Sequence, residues 1–329
     1  MTEIIAADIG GTNARFARAT LTPRGVPTLG KVRKYKVADY PSLQACWGAF
    51  AQDEVEPLPR AASIAFATAI GRDVIKLTNS SWVIRPDRLD EELGLDRLRL
   101  VNDFEAVAHA VAKLPTDNLE LLFGPDVPFP NRGSVTVLGP GTGLGVALIS
   151  FDDGLPHVIA TEGGHIDFAP LDAMESRIVD YLRDKFLRVS TERIVSGPGL
   201  NNLYKAMATI SHARVELMED SELWQSALDG SNRFARDALD RFCLSYGSVA
   251  GDLALAHGPG CVVLAGGLTQ RMKAVLLESG FHDRFKAKGR FQSLMAQTAV
   301  RLAVHDEIGL YGAAAAFLPA QARPAEENN

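Results

Sequence analysis

Apolar runs broken by glycine turns set the rhythm of this chain. Ile4-Ile5-Ala6-Ala7 leads into Asp8-Ile9-Gly10-Gly11-Thr12-Asn13-Ala14-Arg15, and an apolar/polar alternation resumes at Phe16 and Ala17. That order reads as a β-hairpin turning on Gly10-Gly11. The pattern returns in the second half of the chain. Val135-Thr136-Val137-Leu138 precedes Gly139-Pro140-Gly141-Thr142-Gly143-Leu144-Gly145, and Val146-Ala147-Leu148-Ile149 resumes the strand. A strand, a Gly-Thr turn and a strand therefore occur twice.

Between the two hairpins, Lys31 to Val37 alternates as a strand. Pro41-Ser42 opens a helix with Leu43, Trp47, Phe50 and Ala51 on one face. Ser63 to Ala67 and Val74 to Leu77 read as strands, Arg88 to Leu93 as a helix. Leu98 to Val101 is a short strand that delivers Asn102-Asp103 to its C-terminal end, and a helix runs from Glu105 to about Leu114. Leu114-Pro115-Thr116-Asp117 marks the crossing into a second domain. There, a strand at His157 to Thr161 precedes a helix carrying Ile178, Leu182, Phe186 and Val189. A long helix from Phe234 to His257 stops at Gly258-Pro259-Gly260. The strand Cys261 to Ala265 ends at Gly266-Gly267, and an alanine-rich helix from Gly309 to about Phe317 is expected to pack back on the first domain. The polar, aromatic-free stretch Ala320 to Asn329 is expected to fray.

At 329 residues two domains are expected. A net charge of −6 argues against a nucleic-acid or anionic-membrane surface, but not against a local phosphate site. Cys46, Cys243 and Cys261 are scattered and odd in number, which suits a reducing compartment rather than a disulfide framework or a metal cluster. Met1-Thr2-Glu3 runs straight into the first strand, so no signal peptide is expected, and no run has the length of a membrane span. These features together predict a cytoplasmic protein.

The chemistry gathers at the turns. Paired glycines permit positive φ and leave turn N–H groups open to a phosphate. Asp8, Thr12, Asn13 and Arg15 add an acid, two neutral donors and a cation around the first turn. The second turn lacks the lysine of a P-loop, and no helix follows as a dinucleotide fingerprint requires. Two such hairpins facing one another could hold a polyphosphate. Asp103 reads either as a helix N-cap or as a general base at a rigid strand end. Glu162-Gly163-Gly164-His165 is either a surface loop or an acid and an imidazole on a flexible turn. Glu192 could be a helix-terminal salt-bridge partner. His109, His212 and His257 fall in helical stretches without a polar cluster and read as structural.

With these residues in place the chain resembles the bacterial glucokinases of the hexokinase–actin–heat-shock-70 ATPase superfamily, over nearly its whole length. Asp8 to Arg15 is similar to the family's first phosphate hairpin and Gly139 to Gly145 to its second. Leu100-Val101-Asn102-Asp103-Phe104 resembles the catalytic strand end. Glu162 to Phe168 and Glu192 to Leu203 resemble the sugar-binding segments, and Ala265-Gly266-Gly267 the adenosine-side turn. Asp39-Tyr40-Pro41-Ser42, Lys288-Gly289-Arg290-Phe291 and His305-Asp306 are smaller matches. At Ala67-Thr68-Ala69-Ile70-Gly71 the chain departs from the family, which commonly carries a proline before the glycine. The related ROK sugar kinases carry a cysteine-rich zinc motif after a similar Glu/His turn. No cysteines lie near His165, so the resemblance is to the zinc-free group.

The resemblance implies an α/β, two-domain actin-like ATPase (ribonuclease H-like) fold with a cleft between domains. It divides the chain into a small domain of 1–114 with 305–329 and a large one of 115–304. It implies ATP-dependent phosphorylation of glucose at the 6-hydroxyl, the opening step of glycolysis, with Asp103 as general base. Asn102, Asp103, Glu162, His165 and Glu192 would hold the sugar. Asp8, Gly10, Gly11, Thr12, Asn13, Gly139, Gly141, Thr142, Gly143, Gly266 and Gly267 would hold ATP, with Asp8 reaching Mg²⁺ mainly through water. A homodimer is expected on the same ground. Three other readings are a sugar-sensing regulator that lost catalysis, an actin-like filament former and a kinase for another hexose. Retained Asp103 and the absence of an added helix-turn-helix weigh against the first, and the polar set around Glu162 and Glu192 against the second.

Overall fold

A computed structural model describes residues 1–317 apart from 69, 71, 72 and 78. The chain divides into two compact units, Met1–Leu114 with the described part of His305–Asn329, and Pro115–Val304.

The first unit is built on strands β1 (Thr2–Ile9), β2 (Asn13–Leu21), β3 (Pro27–Leu29), β4 (Arg33–Lys36) and β5 (Ala61–Phe66), with β8 (Arg97–Asn102) at one edge. The order is β3-β2-β1-β5-β8, with β4 also pairing β2. β1 runs antiparallel to β2, and parallel to β5, which is parallel to β8. A separate short ribbon joins β6 (Ile75–Lys76) to β7 (Val83–Ile84). The run Ile4-Ile5-Ala6-Ala7 is wholly buried because β1 sits mid-sheet with both faces covered. One face packs under α1 (Leu43–Asp53), where Ser42 Oγ caps the Ala45 N–H and Leu43, Trp47 and Phe50 join Phe16 in a core of edge-to-face and stacked rings. Helices α2 (Leu89–Leu93) and α3 (Asp103–Val111) complete this stretch of the unit.

The second unit repeats the plan. Strands β9 (Leu119–Phe123), β10 (Gly133–Pro140), β11 (Leu144–Asp152), β12 (Leu155–Thr161), β13 (Cys261–Leu264) and β14 (Ala299–Ala303) lie in the order β12-β11-β10-β13-β14-β9. An antiparallel trio (β12, β11, β10) again leads into parallel partners (β13, β14). Helices α4 (Ala173–Phe186), α5 (Gly197–Ile210), α6 (Asp220–Asp229) and α7 (Arg233–His257) bury one large apolar cluster against the sheet. Short helices α8 (Gly267–Arg271), α9 (Lys273–Glu278), α10 (Phe281–Lys286) and α11 (Gln292–Ala296) fill the stretch before β14. Then α12 (Ile308–Ala315) packs in the first unit, where Leu310, Ala314 and Phe317 meet Ile4 and Ala17.

Several sequence expectations shift. Val74–Leu77 contributes only two strand residues, and α3 starts at Asp103 rather than Glu105. His212 is not helical, since α5 ends at Ile210 and His212 takes φ +51°. Strand β9 and the helices α8 to α11 carry no period long enough to read from sequence. The stretch 320–329, and Ala69 and Gly71 of the Ala67–Gly71 loop, lie outside the described residues.

Candidate active site

In the first unit, Asp8 at the end of β1 and Arg15 on β2 are cross-strand register partners. Arg15 Nη1 donates to Asp8 Oδ2 at 3.0 Å, and its Nε lies 3.3 Å from Glu307 Oε2. Burial lifts the Asp8 carboxyl above its ordinary value, against the pull of Arg15. The start of α12 closes on the acid: a Cβ on Gly309 would sit 2.9 Å from Asp8 Oδ2. His305 Nδ1 accepts the Glu307 N–H at 3.2 Å, which fixes the residue that holds Arg15. Within the turn, the Gly10 N–H bonds Asn13 O and the Val37 N–H bonds Thr12 O. Neither Gly10 nor Gly11 takes positive φ, so the conformational freedom expected of them is not used. They contribute a turn without side chains instead.

The Asn102–Asp103 strand end corrects another expectation. Asn102, not Asp103, is the N-cap of α3, its Oδ1 accepting from the Phe104 and Glu105 N–H groups at 2.8 and 2.9 Å. Asp103 is the first helical residue, its Oδ1 accepting from the Phe104 N–H at 2.8 Å. Asp103 thus shares the Phe104 N–H with the Asn102 cap rather than being the N-cap itself.

In the second unit, the β10–β11 hairpin turns at 141–143, with Pro140 opposite Leu144. Its turn is tied to α5 by the bond from the Gly197 N–H to Gly141 O at 2.7 Å. Glu162 precedes a 3-10 turn at Gly163–His165 that packs on β11. A Cβ on Gly164 would meet Leu144 O at 2.1 Å, so this turn is tightly seated rather than the flexible one expected. Thr191 Oγ1 donates to Gly164 O, and the Phe168 N–H to Val189 O, lacing the turn to the segment that carries Glu192. Glu192 Oε1 consequently lies 3.4 Å from His165 Nδ1, whose Nε2 is 3.8 Å from Glu162 Oε2. Glu192 Oε2 accepts the Leu144 N–H at 3.4 Å. Glu162, His165, Glu192 and the second glycine turn thus form one polar cluster.

Beside it lies a cavity of about 930 Å³, lined by Gly141 and Thr142 of the hairpin, Gly197 and Pro198 of α5, Asp220, Ser221 and Trp224 of α6, and Gly267, Leu268, Gln270 and Arg271 of α8. Gly266 reaches φ +92° where β13 turns into α8, a conformation that favours glycine. Gly141, Thr142 and Gly267, distant in sequence, therefore line one wall.

A family profile described as Glucokinase matches residues 5–320. The chain belongs to the glucokinase family. It is 51% identical over 315 residues to the glucokinase of Zymomonas mobilis, covering 96% of this chain and 97% of that one. Among solved structures, a glucokinase from an Antarctic psychrotroph superposes with a TM-score of 0.84 at 33% identity, covering 96% of this chain and 98% of the other. A ROK family glucokinase from Streptomyces griseus, in complex with glucose and AMPPNP, shares the fold with a TM-score of 0.62 at 19% identity, covering 95% and 98%. The fold is accordingly the two-domain actin-like ATPase class.

For a glucokinase-family chain, the residues that sequence reading overlooked are those without a local signature. Glu307 acts through Arg15, which the first turn's composition did reveal, but it stands near the far end of the chain. Asp220, Ser221, Trp224, Gln270 and Arg271 line the cavity from helices whose polar positions look like ordinary solvated faces. Among the described residues, His109, His257 and the three cysteines stay outside these clusters. Thr136 Oγ1 meets His257 Nδ1 at 3.1 Å, and burial pushes the Cys46, Cys243 and Cys261 thiols up to about 11, 12 and 12.

Proposed function

We propose that this chain transfers the γ-phosphoryl group of ATP to the 6-hydroxyl of glucose, with Asp103 as the general base. The observation that carries the reading is the Glu192 carboxylate, which joins the Glu162/His165 turn to a glycine hairpin of the phosphate-holding kind. A sugar offers vicinal hydroxyls to an acid–imidazole cluster, and a polyphosphate offers oxygens to turn N–H groups. Relatives named glucokinase, and the complex of one with glucose and AMPPNP, support both ligands.

Phosphoryl transfer needs positioning and charge stabilisation more than covalent work. In this reading Glu162, His165, Glu192 and the Asn102 amide orient the hydroxyls. The Asn102 Oδ1 is already committed to the α3 cap, so its Nδ2 is the atom that serves the sugar. Asp103, at the first turn of α3, takes the 6-hydroxyl proton as the new O–P bond forms and the bond from the γ-phosphorus to the β,γ-bridging oxygen breaks, releasing ADP. Turn residues 10–13 and 139–143 hold the phosphates, and the cavity along α6 and α8 takes the adenosine. A half-buried carboxylate at Asp8, with Thr12 and Asn13 in the turn that follows, is a hard oxygen set, suited to Mg²⁺ that keeps most of its waters. Bound there, the ion would neutralise charge on the phosphates. The reading includes a cytoplasmic homodimer feeding glucose 6-phosphate into glycolysis.

The test is ADP release with ATP and Mg²⁺ over a panel of hexoses and a no-sugar control. Glucose-dependent release that falls by at least about 10³-fold in Asp103→Asn, with sugar affinity retained, is the expected result. Equal release with and without sugar, or full turnover by Asp103→Asn, would overturn it.

A further inference from the structure

We propose that the second glycine turn serves both substrates, and that Gly143 is a positioning residue that couples sugar binding to nucleotide binding through Glu192. The proposal rests on the glucokinase reading above. Gly143 does not take positive φ, so backbone conformation does not demand a glycine there. The absent side chain matters through Glu192: a Cβ at this position would lie 2.6 Å from Glu192 Oε2 and would push that flexible carboxylate aside. The missing side chain lets that carboxylate reach the neighbouring Leu144 N–H at 3.4 Å while its other oxygen stays 3.4 Å from His165. Gly141 and Thr142, on the same turn, line the cavity assigned to the nucleotide. One turn therefore presents Gly141 and Thr142 to one ligand and Gly143-Leu144 to the residue that holds the other.

The sign of the coupling follows from ordering. Phosphates seated on the turn fix the Leu144 N–H, and a fixed N–H fixes the Glu192 carboxylate before the sugar arrives. The sugar then loses less freedom on binding, which makes the coupling positive. Linkage requires that glucose tighten the nucleotide by the same factor.

The test is calorimetric titration of the full chain with glucose, with and without saturating AMPPNP, and the reciprocal titration. In the wild-type chain AMPPNP should tighten glucose by at least about five-fold, the low end of ordinary coupling. In Gly143→Ala, and in Glu192→Asp, which withdraws the carboxylate from Leu144 by one methylene, the factor should fall to within about two-fold of unity. If Gly143→Ala does not fold, Glu192→Asp decides alone. A wild-type factor of one, or a factor retained in a folded variant, overturns the coupling while leaving the kinase reading intact. Wild-type protein that binds AMPPNP but no glucose overturns the sugar-site reading itself.

Discussion

Asp8 and Arg15 face each other across the first glycine hairpin, with the guanidinium 3.0 Å from a carboxylate that burial has lifted above its ordinary pKa. One cation thus answers two acids, because Glu307 holds the same guanidinium at 3.3 Å. Arg15 offsets part of the cost of holding a carboxylate at a strand end that water reaches poorly.

Removing that cation should expose the cost. Arg15→Met keeps most of the stem but leaves Asp8 without its partner, and the loss should be about 2 kcal/mol, the scale of a hydrogen bond to a charged group. Adding Asp8→Asn should recover most of it, since a neutral amide has no charge to desolvate. Urea unfolding of the two variants at neutral pH measures both. A single variant within about 0.5 kcal/mol of the parent would show that Arg15 does not stabilise Asp8.

Asn102 permits a separation of structure from binding. Its Oδ1 caps α3, and in the proposed function its Nδ2 serves the sugar. Asn102→Asp keeps an acceptor at the cap and adds a favourable charge at a helix N-terminus, so stability should hold or rise slightly. The amide donor is lost, so glucose KM should rise by about ten-fold, the cost of one unmade polar contact of ordinary strength. Asn102→Ala should lose both, with about 1 kcal/mol of stability. Equal glucose KM in Asn102→Asp and the parent would remove Asn102 from the sugar site.

The two glycine turns were legible because alternation on both sides of a turn leaves a period-two signature that sequence carries intact. Asn102 and Asp103 were legible as a pair at a strand end, but not which of them caps, because both side chains can reach the same N–H groups. The meeting of Glu192 with Leu144 was not legible. It depends on 3-10 turns at 163–165 and 191–193 being laced together, and on a glycine whose missing Cβ matters only once its neighbour across the fold is known. Strand β9 was missed because its Leu-Glu-Leu-Leu-Phe pairs only with β14 at the sheet edge and shows little alternation.

His109 on α3 makes a pH prediction. Burial, with Arg99 and Lys113 adding repulsion, pushes the imidazole down to about 4 from an ordinary value of 6.5. A histidine whose folded pKa is depressed binds its proton more readily when unfolded. Its contribution is therefore fully present above pH 6.5 and is lost as pH falls from 6.5 through 4. The loss is on the order of 3 kcal/mol. His109→Gln should flatten the stability–pH curve in that window, as read by denaturant unfolding at several pH values. An unchanged slope would mean that His109 protonates as readily folded as unfolded.

Two glycine-to-alanine changes should move stability in opposite directions. Gly48 lies in α1 with nothing within 4 Å of where a Cβ would stand. Alanine there gains helix propensity and reduces the freedom of the unfolded chain, so Gly48→Ala should stabilise by about 0.5–1 kcal/mol. Gly312 lies in α12, where a Cβ would sit 1.8 Å from Ala106 O and 2.4 Å from Ala106 C. Both atoms belong to the backbone of α3, which cannot rotate aside as a side chain would. The propensity gain of about 1 kcal/mol is then outweighed by the separation of two packed helices, and Gly312→Ala should destabilise by about 2 kcal/mol net. Because α3 begins at Asp103, the same displacement should lower kcat more than it raises glucose KM. Thermal melts of both variants beside the parent test the signs directly: a Gly312→Ala protein as stable as Gly48→Ala would mean that α12 can take a Cβ against the α3 backbone at no cost.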